Sequence, residues 1–213
     1  MRRFDPTLYA ILDTGIVERR NLKRVTHSLI KGGATLIQLR EPKDLPAEDF
    51  LKDAAKVKEA IGSSKVLFII NDRVDIAFAC GADGVHLGLS DLPIPVARKI
   101  LGEKRIIGAS VHTLSQAKVK EREGANYLGV GAVFETSTKP DSKIIPLSTL
   151  KRIKESVRIP VIAIGGINKE NVKRILKIGV DGIAVASAIL KAENIQKATE
   201  EMKRIIETEG RSA

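Results

Sequence analysis

Eight short apolar runs, each followed by a stretch of helical spacing, constrain this chain more than any other feature. The runs are "LYAILD" (8–13), "LIQLR" (36–40), "VLFIIND" (66–72), "GVHLG" (84–88), "IIGASV" (106–111), "YLGVGAVF" (127–134), "PVIAIGG" (160–166) and "GIAVASA" (182–188). Most are apolar at nearly every position, not at alternate ones. That marks strands covered on both faces, as in a parallel sheet. Between them lie amphipathic segments such as "AEDFLKDAAKVKEAI", "SQAKVKEREG", "LSTLKRIKESV" and "KENVKRILKIG". Eight strand–helix units in 213 residues match the count and size of an α/β (β/α)8 TIM barrel.

An internal echo supports the same architecture. "GGATLIQL", "CGADGVHL", "EGANYLGV" and "IGVDGIAV" share a glycine, a small residue, a polar residue and then a strand. Gly33, Gly81, Gly124 and Gly179 are expected to end helices, where glycine accepts the left-handed cap conformation. With 43% hydrophobic residues and no linker or low-complexity stretch, residues 1–213 read as one barrel domain. Its closing helix is expected at 192–208.

Composition narrows the function. Cys80 is the one cysteine, so no disulfide forms within the chain, and a reduced, cytoplasmic setting is expected. The apolar run near the N-terminus is broken by Asp13, which leaves it too short for a signal-peptide core or a membrane span. The net charge of +10 raises a nucleic-acid reading. Basic residues are interleaved with acids along the chain, however, and 3% aromatics with no Trp leave few stacking platforms. No nucleic-acid or membrane partner is expected, and whether identical copies assemble stays open.

In such a barrel the active site lies at the C-terminal strand ends. These ends read "QLREPK", "INDR", "HLGLSD", "GASVHT", "GAVFETSTK", "AIGG" and "VASA". Asp72 closes the third run and Asp91 follows the fourth, so adjacent units put two carboxylates on one rim. Oxygen ligands of this kind suit Mg²⁺, which keeps its remaining positions for water or phosphate oxygens. Each could instead cap the helix that follows it. "ETSTK" (135–139) forms a donor-rich loop, and Arg40 and Lys43 add positive charge, together making a site for a diphosphate. Gly165, Gly166 and Ser187, after the last two strands, suggest a second anion site built from backbone amides. His86, between Val85 and Leu87, reads as an interior hydrogen-bonded residue. His112 can reach the rim, and His27 belongs on the surface.

Taken in order, "QLRE", "INDRVDIA", "GADGVHLG…DLP", "GANYLGVGAVFETSTK", "IPVIAIGGI" and "GVDGIAVASAI" resemble the thiamine phosphate synthases from residue 8 to about 208. The resemblance implies a (β/α)8 barrel transferase. It joins a hydroxymethylpyrimidine diphosphate to a thiazole phosphate with Mg²⁺ and releases pyrophosphate, and its partners are phosphorylated small molecules. It also implies roles. Gln38, Leu39, Arg40, Glu41, Asn71, Ser110 and Lys139 would hold the pyrimidine diphosphate, with Arg40, Ser110 and Lys139 acting in catalysis. Asp72 and Asp91 would ligate Mg²⁺. Thr136, Ser137, Thr138, Gly166, Ala186 and Ser187 would line the thiazole phosphate side. The chain departs from the family at Pro42, where lysine is usual and Lys43 follows, and at Leu89, where glutamine is common. A sister group, the thiazole tautomerases, shares the fold and the histidine matching His112 but typically lacks the two carboxylates.

Overall fold

The computed structural model describes residues 3–43, 45–136, 138 and 142–210. Eight parallel strands close into a barrel in sequence order. They are β1 (Leu8–Asp13), β2 (Leu36–Arg40), β3 (Leu67–Asn71), β4 (Gly84–Leu87), β5 (Ile106–Val111), β6 (Tyr127–Val130), β7 (Val161–Ile164) and β8 (Gly182–Val185). The surrounding helices are α1 (Leu22–Lys31), α2 (Ala47–Ile61), α3 (Val74–Ala79), α4 (Ile94–Leu101), α5 (Leu114–Arg122), α6 (Leu147–Ser156) and α7 (Val172–Leu176). After β8 come a one-turn helix, α8 (Ser187–Leu190), and the closing helix α9 (Ile195–Glu209). Among the described residues no helix is long and apolar enough to cross a membrane.

All eight expected strands form, but several are shorter than their apolar runs. The run after β6 leaves the ladder at Gly131 yet stays tied to the end of β7, where Val133 N donates to Ile164 O at 3.0 Å and Phe134 N to Gly165 O at 3.1 Å. The closing helix starts later than expected. Asn194 caps it, accepting from Lys197 N at 3.0 Å, and α8 occupies the preceding turn. Gly33, Gly81, Gly124 and Gly179 all have positive φ (89°, 64°, 92° and 79°), the conformation expected of helix-ending glycines.

Two cores follow from the pleat, since successive side chains on a strand point to opposite sides of the sheet. Leu39, Phe68, Val85, Leu128 and Ile183 belong to the large core packed under the helices. Tyr9, Leu36, Ile69, Tyr127 and Ile162 fill the barrel interior. Phe4, which precedes β1, stacks on Tyr127 with ring centroids 5.4 Å apart and closes the N-terminal end of that inner core. The β1–β2 register pairs Ile11 with Gln38 and Asp13 with Arg40. The same alternation carries Gln38 and then Arg40 up the inner face to the C-terminal rim, while Leu39 stays in the outer core, fully buried.

Candidate active site

A cavity of about 300 Å³ opens at the C-terminal ends of the strands. Gln38, Arg40, Asn71, Asp72, Asp91 and Ser110 line one part of it, and Thr136, Thr138, Gly166, Ala186 and Ser187 line another. Most of the residues singled out from the sequence therefore share one chamber. Ser137 and Lys139 lie outside the described residues.

Asp72 adopts φ 63°, the sole non-glycine with positive φ among the described residues. Its backbone N donates to His86 O at 2.8 Å, so the turn after β3 is pinned to β4. Aspartate tolerates the left-handed region better than most residues, but holding it there has a cost that the surrounding structure must impose. The N-cap position of α3 falls on Arg73, so Asp72 sits one residue before the cap, and Arg73 makes no side-chain cap bond. Helix α4 likewise starts after Pro93 without one. Asp91 closes the loop before it instead, with Oδ2 accepting from Gly88 N at 2.5 Å. The donor set offered here is two carboxylates without histidine or thiolate. Among the described residues no group of three or more His, Cys, Asp or Glu gathers as a closed metal cage. That set fits a hard cation sharing its coordination with ligand oxygens and water.

Arg40 is anchored. Its Nη1 forms an ion pair with Asp13 Oδ2 and approaches Thr138 O at 3.5 Å, and Asp13 Oδ1 accepts from Gly15 N at 2.8 Å. Asp13 is 1% exposed. The pair leaves Arg40 less a spare charge than a fixed fork of N–H donors. Asp13 was not singled out from the sequence, where it reads only as the end of an apolar run.

Two residues expected to hold substrate lie outside the chamber. Leu39 faces the helices, as the pleat requires. Glu41 points away to accept from Thr14 Oγ1 and from Arg19 Nη2, each at 2.7 Å. Burial pushes the Glu41 carboxyl up, but these bonds, that from Lys43 N, and the Arg19 charge outweigh it and hold it below its usual range. Lys43 is exposed and does not line the cavity, whereas Leu89 does.

The loop after β7 needs its two glycines, at φ 97° and 66°. A Cβ on Gly165 would lie 2.5 Å from Ala132 Cβ, and one on Gly166 would lie 2.2 Å from Glu135 O. They let this loop pack against the loop after β6 as both line the chamber. Thr138 Oγ1 is buried without a partner among the described residues, a hydroxyl available to a ligand. Ala186 and Ser187 bring the start of α8 to the wall, where the first helical amides have no carbonyl one turn before them.

His86 is an interior residue, as expected, bonded through Nδ1 to Tyr127 Oη at 2.9 Å and through Nε2 to Ser110 Oγ at 3.0 Å. His112 also lines the cavity, and its Nδ1 bonds to Gly131 O. Because a carbonyl only accepts, that nitrogen carries the proton. His27 is exposed on α1. Tyr9 and Tyr127, beneath the chamber, are, with Asp13, the polar residues that the sequence reading missed. The available signal for the tyrosines was a glycine inside each of two strands, Gly108 and Gly129, which often marks something packed close to the backbone.

An eight-stranded parallel barrel whose C-terminal rim gathers carboxylates, an anchored arginine and two glycine- and hydroxyl-rich loops defines a barrel enzyme for phosphorylated small molecules. The family model described as thiamine monophosphate synthase matches residues 8–189. The thiamine-phosphate synthase of Clostridium acetobutylicum is 47% identical over 206 residues, covering 97% of this chain and 97% of the relative. That of Pyrococcus furiosus is 47% identical over 203 residues, covering 94% of each. A solved structure of thiamine phosphate pyrophosphorylase from Pyrococcus furiosus superposes with a TM-score of 0.87 at 45% identity, covering 95% of this chain and 96% of that one. The chain belongs to the thiamine monophosphate synthase family.

Proposed function

We propose that this protein is a one-domain cytoplasmic transferase that joins hydroxymethylpyrimidine diphosphate to thiazole phosphate, giving thiamine phosphate and pyrophosphate. Family membership supports the reaction. The observation that carries it is the convergence of Asp72 and Asp91, from adjacent units, on the chamber that also holds Arg40 and both anion-type loops.

The C–O bond between the pyrimidine methylene and the diphosphate breaks, and its electron pair leaves with pyrophosphate. The electron-rich aminopyrimidine stabilises the methylene cation, and the thiazole nitrogen then supplies the pair for the new C–N bond. No protein nucleophile is required. Asp72 and Asp91 would hold Mg²⁺, which when bound neutralises charge on the diphosphate oxygens. Arg40, held by Asp13, presents its donors to the departing group with no reorganisation at the moment of reaction. Lys139 adds charge to the same group. Gln38, Asn71 and Ser110 orient the pyrimidine. Thr136, Ser137, Thr138, Gly166, Ala186 and Ser187 receive the thiazole phosphate, the last three chiefly through backbone amides.

The purified protein, given both substrates and Mg²⁺, should form thiamine phosphate and pyrophosphate in equal amounts. A second reading, a metal-independent thiazole tautomerase, is favoured by one observation: His112 lines the chamber with its proton fixed on Nδ1, leaving Nε2 as a base. Proton exchange on a thiazole carboxylate phosphate that survives a chelator and is lost in His112→Ala would select that reading. The absence of any condensed product would then reject the first.

A further inference from the structure

Five polar side chains from five strands form one hydrogen-bonded chain inside the barrel. Gln38 Nε2 donates to Tyr9 Oη at 2.7 Å, and Tyr9 Oη lies 2.9 Å from Tyr127 Oη. Tyr127 Oη lies 2.9 Å from His86 Nδ1, and His86 Nε2 lies 3.0 Å from Ser110 Oγ. Gln38, Tyr9, Tyr127 and His86 are all buried. Gln38, His86 and Ser110 reach the chamber wall, whereas the two tyrosines do not.

Proton counting gives the chain a direction. A phenol has one proton to donate, and a neutral imidazole carries a proton on one nitrogen only. Because Gln38 donates to it, Tyr9 gives its own proton to Tyr127, and Tyr127 gives its proton to His86 Nδ1. His86 then carries its proton on Nε2 and donates it to Ser110 Oγ, leaving the Ser110 proton for whatever fills the chamber. Run the other way, Tyr9 would accept from both Gln38 and Tyr127. Its own proton would then find no further acceptor recorded among the described residues, and an unmade buried donor is costly. Burial holds both phenols protonated well past their ordinary value, so neither escapes this count by ionising.

The backbone is shaped for the chain. The His86 and Tyr127 rings stack with centroids 5.4 Å apart. A Cβ on Gly108 would lie 2.1 Å from Tyr127 Cζ, and one on Gly129 would lie 2.8 Å from His86 Cε1. Both strands give up a side chain to admit these rings.

We propose that Tyr9 and Tyr127 are positioning residues that fix His86 as its Nε2–H tautomer and so make Ser110 a hydrogen-bond donor toward the ligand. The ligand then presents an acceptor there, a ring nitrogen or a phosphate oxygen. The ligand's identity rests on the proposed reaction, but the tautomer does not.

Nitrogen NMR of ¹⁵N-histidine in the intact protein reads the tautomer directly. His27 and His112 are assigned by substituting each singly. The wild type should show His86 protonated on Nε2 alone. Gln38→Glu replaces the donor at the far end with an acceptor and should move the His86 proton to Nδ1, three hydrogen bonds away. Tyr127→Phe should leave His86 as a mixture of tautomers and lower kcat/KM for the pyrimidine diphosphate by about tenfold, the worth of one neutral hydrogen bond. Tyr9→Phe serves as a second break in the chain if Tyr127→Phe fails to fold. A wild-type His86 protonated on Nδ1 or on both nitrogens overturns the proposal, and so does a tautomer unmoved by Gln38→Glu. Lower activity in Tyr127→Phe with an unchanged tautomer also overturns it, because the tyrosine would then be merely structural. The expected spectra from a protein that forms no thiamine phosphate would refute the proposed reaction and uphold the tautomer.

Discussion

Gly108→Ala should destabilise the protein by about 3–5 kcal/mol, although it adds one methyl to a strand. The added Cβ would lie 2.1 Å from Tyr127 Cζ, 2.4 Å from Oη and 2.5 Å from Cε1. Carbon atoms pack at about 3.5–4.0 Å, so the ring must retreat by roughly 1.4 Å or more. It has nowhere to go. Tyr127 is 1% exposed, with Phe4 and His86 stacked against it, each with centroids 5.4 Å away. Overpacking a tight core costs about 1–3 kcal/mol, and displacing the ring also breaks its bonds to Tyr9 and His86, at about 1 kcal/mol each. At about 2–4 °C per kcal/mol for a chain of this size, Tm should fall by roughly 6–20 °C. Urea denaturation at unchanged m measures the same loss. In a Tyr127→Leu background the methyl meets no ring, and the two changes should couple by about 2 kcal/mol or more. A loss below about 0.5 kcal/mol, or an equal loss in both backgrounds, would refute the packing derived for the barrel interior.

Asp13→Ala should cost about 2–4 kcal/mol by denaturant titration, below the full range for a broken buried pair because the Arg40 side chain is 19% exposed. It should also raise KM for the diphosphate substrate, and a loss under about 0.5 kcal/mol would show that the pair does not anchor Arg40. The chain has two tyrosines and no tryptophan, and burial raises both phenols above their ordinary 10.0. Folding therefore favours the protonated phenols. That stability is complete below pH 10.0 and is lost as pH rises above it, so tyrosinate absorbance should appear only together with unfolding. A reversible tyrosinate in the folded protein near pH 10.0 would contradict the buried chain. Glu41 has the opposite sign. Its folded carboxyl is held below 4.5, so its contribution is present above that pH and lost as pH falls further. Glu41→Gln should flatten the stability–pH curve below 4.5, and an unchanged slope would show that its bonds to Thr14 and Arg19 contribute nothing.

The barrel was legible because strands buried on both faces carry continuous apolar runs, and the glycines at 33, 81, 124 and 179 mark helix ends by backbone conformation alone. The rim was legible because polar residues at a strand's C-terminal end have few other reasons to be there. Facing was harder to read. In "QLRE" all four residues look available, yet the pleat sends Gln38 and Arg40 inward and turns Leu39 and Glu41 away. Asp13 and the two tyrosines were hidden because each reads as part of an apolar run. Only the closed barrel brings Asp13 beside Arg40, and Tyr9 beside Tyr127. Gly165 and Gly166 line the chamber as their place after β7 suggests, but the sequence does not show that the loop after β6 also fills the space where their Cβ atoms would be.

The most direct measurement is the rate of pyrophosphate release against Mg²⁺ concentration, with both substrates saturating, for the wild type, Asp72→Ala and Asp91→Ala. The wild-type rate should rise from near zero in chelator to a plateau. Both variants, folded by circular dichroism, should fall at least a hundredfold and need far more Mg²⁺, consistent with the several kcal/mol a metal contributes to such a transition state. Release that ignores chelator, or variants that follow the wild-type curve, would contradict the assignment of the two carboxylates and with it the proposed reaction.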